Sequence, residues 1–265
     1  MPKVKVNDIN INYEVHGDGF PIVMITGLSF CLKIWDNELI DELSKQFKVL
    51  LLDNRGAGQT DIPEGEYSIK MMADDTAGLM DALNIDCAHI LGFSMGGMIA
   101  QEVALNYPQK VEKLILWGTA CGGRKTIPPD LSAYKLFIGA IEDLTPERMA
   151  KSTIPLAFTQ DFIKNNPKYI KAKIQKILKC RIPFNSYARQ VKGMLTFNTC
   201  RRLKKMHIPT LIMQGKKDIL VPAKNGEILA ELILGSKLVL FEQSAHAIFP
   251  HEPDLFLNVL FEFLT

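Results

Sequence analysis

The sequence predicts a doubly wound, mostly parallel α/β sheet that carries one all-helical insertion. Three observations lead there. Short continuous apolar runs such as Ile22-Val23-Met24-Ile25 recur along the chain, and stretches of helical periodicity separate them. Such runs mark strands covered on both faces, as parallel strands are when right-handed crossovers lay helices over them. The alternation stops after Gly122-Gly123 and resumes only at Thr210.

Taken in order, residues 3–16 alternate and turn as two short strands, with Asn7-Asp8 at the hairpin. Ile22 to Ile25 is the first buried strand. Apolar residues at helical spacing run from Ile34 to Phe47, and Val49 to Leu52 is the next strand, stopped by Asp53-Asn54-Arg55-Gly56. A helix is expected over Ser68 to Leu83, with Asp74 and Asp75 on its wetter side. The strand Ala88 to Leu91 precedes a helix from Met95 to Tyr107, which Pro108 ends. Leu114 to Trp117 is a fourth buried strand. Beyond the insertion come the strand Thr210 to Met213, a helix over about Pro222 to Leu234, the strand Lys237 to Phe241 and a last helix from Glu252.

The expected division is therefore a core of residues 1–123 and 206–265, with 124–205 as a helical lid over the C-terminal edge of the sheet. The insert's apolar residues, among them Leu136, Phe137, Ile138, Met149, Phe158 and Phe162, should mostly pack together, with a minority lining a pocket. There is no internal repeat and no low-complexity segment.

Composition narrows the function. A chain of 265 residues suits one α/β domain with an inserted element. Its 31 basic and 29 acidic residues leave a formal charge of +2, and no basic run is interleaved with aromatics, so nucleic acid is not an expected partner. No apolar stretch approaches the ~20 residues of a membrane span. The five cysteines are scattered and lack a C-x-x-C spacing, which supports neither a disulfide framework nor a metal site. The first residues lack the apolar run of a signal peptide. A reduced, cytoplasmic protein without cofactor is the expectation, and nothing in the sequence fixes an oligomeric state.

The chemistry centres on Gly92-Phe93-Ser94-Met95-Gly96-Gly97, placed between a buried strand and a helix. In that context G-x-S-x-G is a nucleophile elbow, whose tight turn lifts the serine hydroxyl above the sheet edge at a helix N-terminus. The Met95 amide can then donate to a developing oxyanion. A dinucleotide-binding G-x-G-x-x-G would need glycine where Ser94 stands and an acidic residue after the following strand, and neither is present. A serine hydroxyl needs a base and an orienting acid. Asp218 follows the strand Thr210 to Met213, and His246 lies between the last strand and the last helix, so both fall on loops at the correct edge. His16 sits in the hairpin, His89 inside a strand and His207 before one. His251 is the one competitor, in a His-Glu-Pro sequence that reads as a helix start.

With these residues in view the chain resembles the α/β-hydrolase superfamily over essentially its whole length. Asp53-Asn54-Arg55-Gly56-Ala57-Gly58 is similar to the family's D-x-R-G-x-G turn, Gly215 to Pro222 to its acid loop, and His246 to Pro253 to its histidine loop. The resemblance implies a catalytic Ser94, Asp218 and His246, and an oxyanion hole of the Leu28 and Met95 backbone amides. Two departures stand out. Thr26-Gly27 replaces the His-Gly of many members, and Ala245 replaces the glycine that often precedes the histidine. The resemblance argues against dehalogenases and epoxide hydrolases, which carry aspartate in place of Ser94. A lid with several Phe and Met suggests a small, partly apolar acyl compound as substrate; the resemblance allows first a carboxylic ester, then a lactone or a β-diketone cleaved at a carbon–carbon bond. A ligand-sensing receptor that keeps the triad, and an acyltransferase, are the alternatives of other classes.

Overall fold

The computed structural model describes residues 2–133, 145–180 and 182–265. Leu136, Phe137 and Ile138 of the expected lid lie outside the described residues.

Eight strands form one sheet: β1 (Lys3–Val6), β2 (Ile9–His16), β3 (Phe20–Ile25), β4 (Phe47–Leu52), β5 (Ala88–Phe93), β6 (Val111–Trp117), β7 (Thr210–Gly215) and β8 (Lys237–Phe241). Their order is β1-β2-β4-β3-β5-β6-β7-β8. The β1–β2 and β2–β4 pairs are antiparallel, and every pair from β4–β3 to β7–β8 is parallel.

The apolar runs are two-faced in space. Val23 and Ile25 of β3, with Leu50 and Leu52 of β4, face one hydrophobic cluster. Their neighbours Ile22, Met24, Val49 and Leu51 face another. This is the period-2 pleat of a strand buried on both sides. The first cluster is closed by α2 (Ile69–Ala82), α3 (Met95–Asn106) and α8 (Lys224–Leu232), through residues such as Met72, Ile99 and Leu229. The second is closed by α1 (Asn37–Ser44) and α10 (Pro253–Leu264), through Leu39, Leu43, Phe256 and Leu260.

Between β6 and β7 the described residues include the helices α4 (Pro146–Ala157), α5 (Gln160–Asn165), α6 (Pro167–Lys179) and α7 (Phe184–Thr196). The two ends of this stretch are pinned to each other by an antiparallel bridge between Gly122 and Asn198. Gly123 N–H also donates to the Phe197 carbonyl at 3.1 Å. The short helix α9 (Ile248–His251) precedes α10.

Three expectations need correction. The helix expected from Ile34 begins only at Asn37, because a separate 3₁₀ turn (Leu32–Ile34) precedes it and Trp35 is extended. Asp75 is not on a wet face. It is buried because the Arg55 guanidinium meets both its oxygens, at 2.6 and 2.8 Å, while Asp74 alone turns outward to Lys70. The cysteines are not independent either, since Cys31 and Cys180 form a disulfide across 149 residues of sequence. Cys121 and Cys200 lie with their sulfurs 2.7 Å apart at the base of the helical stretch. Neither pairing is visible in spacing, because each joins the core to a part of the insert remote in sequence.

Candidate active site

Ser94 stands between β5 and α3 with φ 57° and ψ −119°, a left-handed conformation rare for a residue with a side chain. The turn closes only because its flanking positions are bare. A Cβ on Gly92 would meet the Gly96 carbonyl, and one on Gly96 would meet the Ile25 carbonyl of β3. Ser94 N–H donates to Trp117 O at 2.9 Å, and its own carbonyl accepts from Gly97 N–H at 2.9 Å. The helix therefore starts directly at Met95, whose amide belongs to its first turn, where backbone N–H groups have no intrahelical partner.

Asp218 and His246 come from the loops after β7 and β8, and the parallel order of these strands puts both at the edge where Ser94 lies. His246 Nδ1 is 2.7 Å from Asp218 Oδ2. Both side chains are buried. The other Asp218 oxygen accepts the Leu220 and Val221 amides at 2.9 and 2.8 Å, so the carboxylate is held from behind. The imidazole leans on Phe93, ring centres 4.8 Å apart, and the His246 carbonyl accepts from Trp117 Nε1 at 3.1 Å. Ser94 and His246 line one cavity together with Leu28.

His251 occupies a different environment. Its Nδ1 lies 2.7 Å from the Ala247 carbonyl, and its Nε2 accepts from Thr159 N–H at 3.3 Å. Its ring packs on Phe162 and Phe158. Burial holds its pKa below the usual histidine value. Both ring nitrogens are occupied, Nδ1 within α9 and its cap and Nε2 in joining α9 to the insert.

The loop between β3 and the first 3₁₀ turn carries Thr26, Gly27, Leu28 and Ser29. A Cβ on Gly27 would sit 3.1 Å from the Ser94 Cβ, which places this backbone directly against the serine. Thr26, in the position of the family's imidazole, uses its hydroxyl to donate to the Phe30 carbonyl at 3.2 Å. The loop stays closed by that contact. The Asp53 turn supports it: Asn54 Nδ2 donates to Thr26 O at 3.1 Å, and Asp53 Oδ1 accepts the Leu32 amide at 2.6 Å. Burial pushes the Asp53 carboxyl up from its usual range, against the pull of those amides.

The insert supplies part of the cavity wall. Met149, Leu156, Phe158 and Ile177 face it, with Ser152, Thr153 and Tyr187 as polar members. Burial pushes the Tyr187 hydroxyl up to about 12. Sequence reasoning missed a charged pair here: Lys173 Nζ lies 2.8 Å from Asp36 Oδ1, and both residues line the cavity. Residues so far apart in sequence meet only through the seating of α6, so no local spacing signals them.

The family model described as the alpha/beta hydrolase fold matches residues 21–253. The chain belongs to that family. It is a hydrolase. This alpha/beta hydrolase is 27% identical over 266 residues to RutD of Azorhizobium caulinodans, provisionally named a carbamate hydrolase, covering 99% of this chain and 98% of that one. Among solved structures it is similar to the enol-lactonase of Burkholderia xenovorans LB400, with a TM-score of 0.87, 25% identity and 99% of each chain covered. It is also similar to a thermophilic esterase of Thermogutta terrifontis, with a TM-score of 0.84, 25% identity, and 100% and 98% of the two chains covered. No helix among the described residues is long and apolar enough to cross a membrane.

Proposed function

We propose that this alpha/beta hydrolase is a serine esterase that cleaves a small carboxylic ester through an acyl-enzyme. One observation carries the reading: a serine in a left-handed elbow shares its cavity with a histidine whose Nδ1 is bound to a buried carboxylate at 2.7 Å. In the proposed cycle His246 takes the Ser94 proton as Oγ bonds to the ester carbonyl carbon. The Leu28 and Met95 amides hold the resulting oxyanion. His246 returns the proton to the departing alcohol. Water then attacks the acyl-enzyme, again through His246, and releases the carboxylic acid and free Ser94. Asp218 keeps the imidazole in the tautomer that this requires.

Residues 124–205 act as the lid, with α4 and α6 walling the cavity from above the sheet edge. The largely apolar wall, including Phe30, Trp35, Trp117 and Phe158, favours an acyl group with hydrocarbon character. A lactone is the second reading, favoured by the likeness to the enol-lactonase.

Intact-mass spectrometry after exposure to a fluorophosphonate tests the nucleophile. One adduct on the wild type and none on Ser94→Ala is expected, with turnover of the preferred ester falling roughly 10⁴–10⁶-fold in the variant. An unlabelled, well-folded wild type would remove the serine mechanism and bring forward a ligand-sensing role. A panel of short-chain esters and lactones then separates the two substrate readings.

A further inference from the structure

We infer that Gln190 of the insert is a positioning residue for the oxyanion hole, so that the hole is complete only while α7 is seated on the core. The inference rests on the serine-hydrolase reading above, and in particular on the Leu28 amide as an oxyanion donor.

A backbone amide has no side chain to aim it, so its direction follows from the dihedrals around it. The residue after Leu28 is Ser29, at φ 65°. That left-handed conformation is disfavoured for any residue bearing a Cβ, so something must hold it. Ser29 N–H donates to Gln190 Oε1 at 3.1 Å, across 161 residues of sequence. The same side chain donates through Nε2 to the Arg55 carbonyl at 2.9 Å. Gln190 is fully buried, and Ser29 is buried with it.

Both partners of Gln190 are backbone atoms of the core. One belongs to the loop that carries Leu28. The other belongs to the turn anchored by the Arg55–Asp75 ion pair and by Asn54 on Thr26. The primary amide presents one acceptor and one donor in this arrangement. Ionised glutamate would keep the acceptor for Ser29 but face the Arg55 carbonyl with a second acceptor. Protonated glutamate would restore the donor. Lifting α7 withdraws both bonds at once and frees Ser29 to leave its left-handed well, which turns the Leu28 amide away from Ser94.

The test uses Gln190→Met and Gln190→Glu in the full chain, with the ester that the wild type turns over best. Gln190→Met should lose roughly 10–10²-fold in kcat with KM changed less than about threefold, a fraction of what deleting a whole oxyanion donor costs. Affinity for a trifluoromethyl ketone, which forms a tetrahedral oxyanion on the serine, should fall by the same factor, while affinity for the carboxylate product stays level. Gln190→Glu should be impaired at pH 8 and recover relative to the wild type as the pH falls and its carboxyl protonates.

Unchanged kcat in Gln190→Met, or a loss confined to KM, would overturn the inference. Should Gln190→Met fail to fold, the pH-dependent recovery of Gln190→Glu decides alone, and its absence would overturn the inference as well. Failure of the underlying reading looks different: the wild type itself would resist the fluorophosphonate, whatever stands at 190.

Discussion

The sheet and the helical insert of this protein are held together by different means. Sheet strands satisfy each other's backbone groups in register, Ile22 beside Val49 and His89, and Leu116 beside Gly92 and Ile212. Among the described residues the insert has no strand to add. Apart from a few backbone bonds, such as Ala247 N–H to the Ala157 carbonyl, it docks through side chains: Tyr169 and Lys173 on Asp36, Lys176 on the Trp35 carbonyl, Gln190 on two core loops, Arg189 on the Pro63 carbonyl and the Cys31–Cys180 disulfide. An apolar cluster of Ile34, Ile154, Phe158, Ile170 and Ile177 fills the gap. Backbone pairing fixes the sheet wherever apolar runs occur. Docking by side chains depends on single residues, and each of them can be removed.

The largest expected effect of breaking the insert's attachment comes from its covalent tie. The disulfide closes a loop of 149 residues, and by the chain-entropy argument Cys31→Ser or Cys180→Ser should lower stability by about 3–5 kcal/mol. Denaturant titration without reductant measures the loss. Limited proteolysis shows where it falls, and cleavage is expected first within residues 124–205, with the sheet still protected. Cleavage spread evenly over the chain would mean that insert and sheet unfold as one unit, and the contrast between them would fail.

The same contrast explains what the sequence reveals. Ser94, Asp218 and His246 are each framed by a strand and a turn, and Gly92 and Gly96 are required by close backbone approach, so local residue patterns point to them. Gln190, Lys173 and the Cys31–Cys180 pair have no such frame. Each meets its partner only after α6 and α7 are laid on the core, and the distance in sequence, 161 residues for Gln190 and Ser29, erases any periodic signal. Asp75 misleads for a related reason. Its neighbour Asp74 is wet, and nothing near it in sequence announces that Arg55 will meet it inside.

A smaller effect sharpens the sheet side of the comparison. His89 lies within β5, buried against Phe20 and Phe47, with its Nδ1 lacking a hydrogen-bond partner. Burial, reinforced by the nearby Lys113 charge, pulls its pKa down to about 4 from the ordinary 6.5. The folded state thus refuses a proton that the unfolded chain accepts. The sheet should keep its full stability above pH 6.5 and lose about 3 kcal/mol from this group as pH falls to about 4. Burial of His251 acts in the same direction where the insert meets α9. His89→Phe should flatten the decline between pH 7 and pH 4.5 in guanidinium titrations by most of that amount. An unaltered slope would assign acid sensitivity to the insert instead.

The smallest effect tests which of the insert's contacts matter. Lys192 of α7 pairs with Glu66, but both side chains are largely exposed, 60% and 79% of their surface, so water competes for each charge and salt screens the pair. Two residues earlier on the same helix, Gln190 is fully buried. Lys192→Met should therefore shift the thermal midpoint by less than about 2 °C and leave kcat untouched. If Lys192→Met lowered kcat as Gln190→Met is expected to, the seating of α7 in general, rather than the Ser29 bond of Gln190, would be what sustains turnover. Equal insensitivity at both positions would free the Leu28–Ser29 loop from the insert altogether.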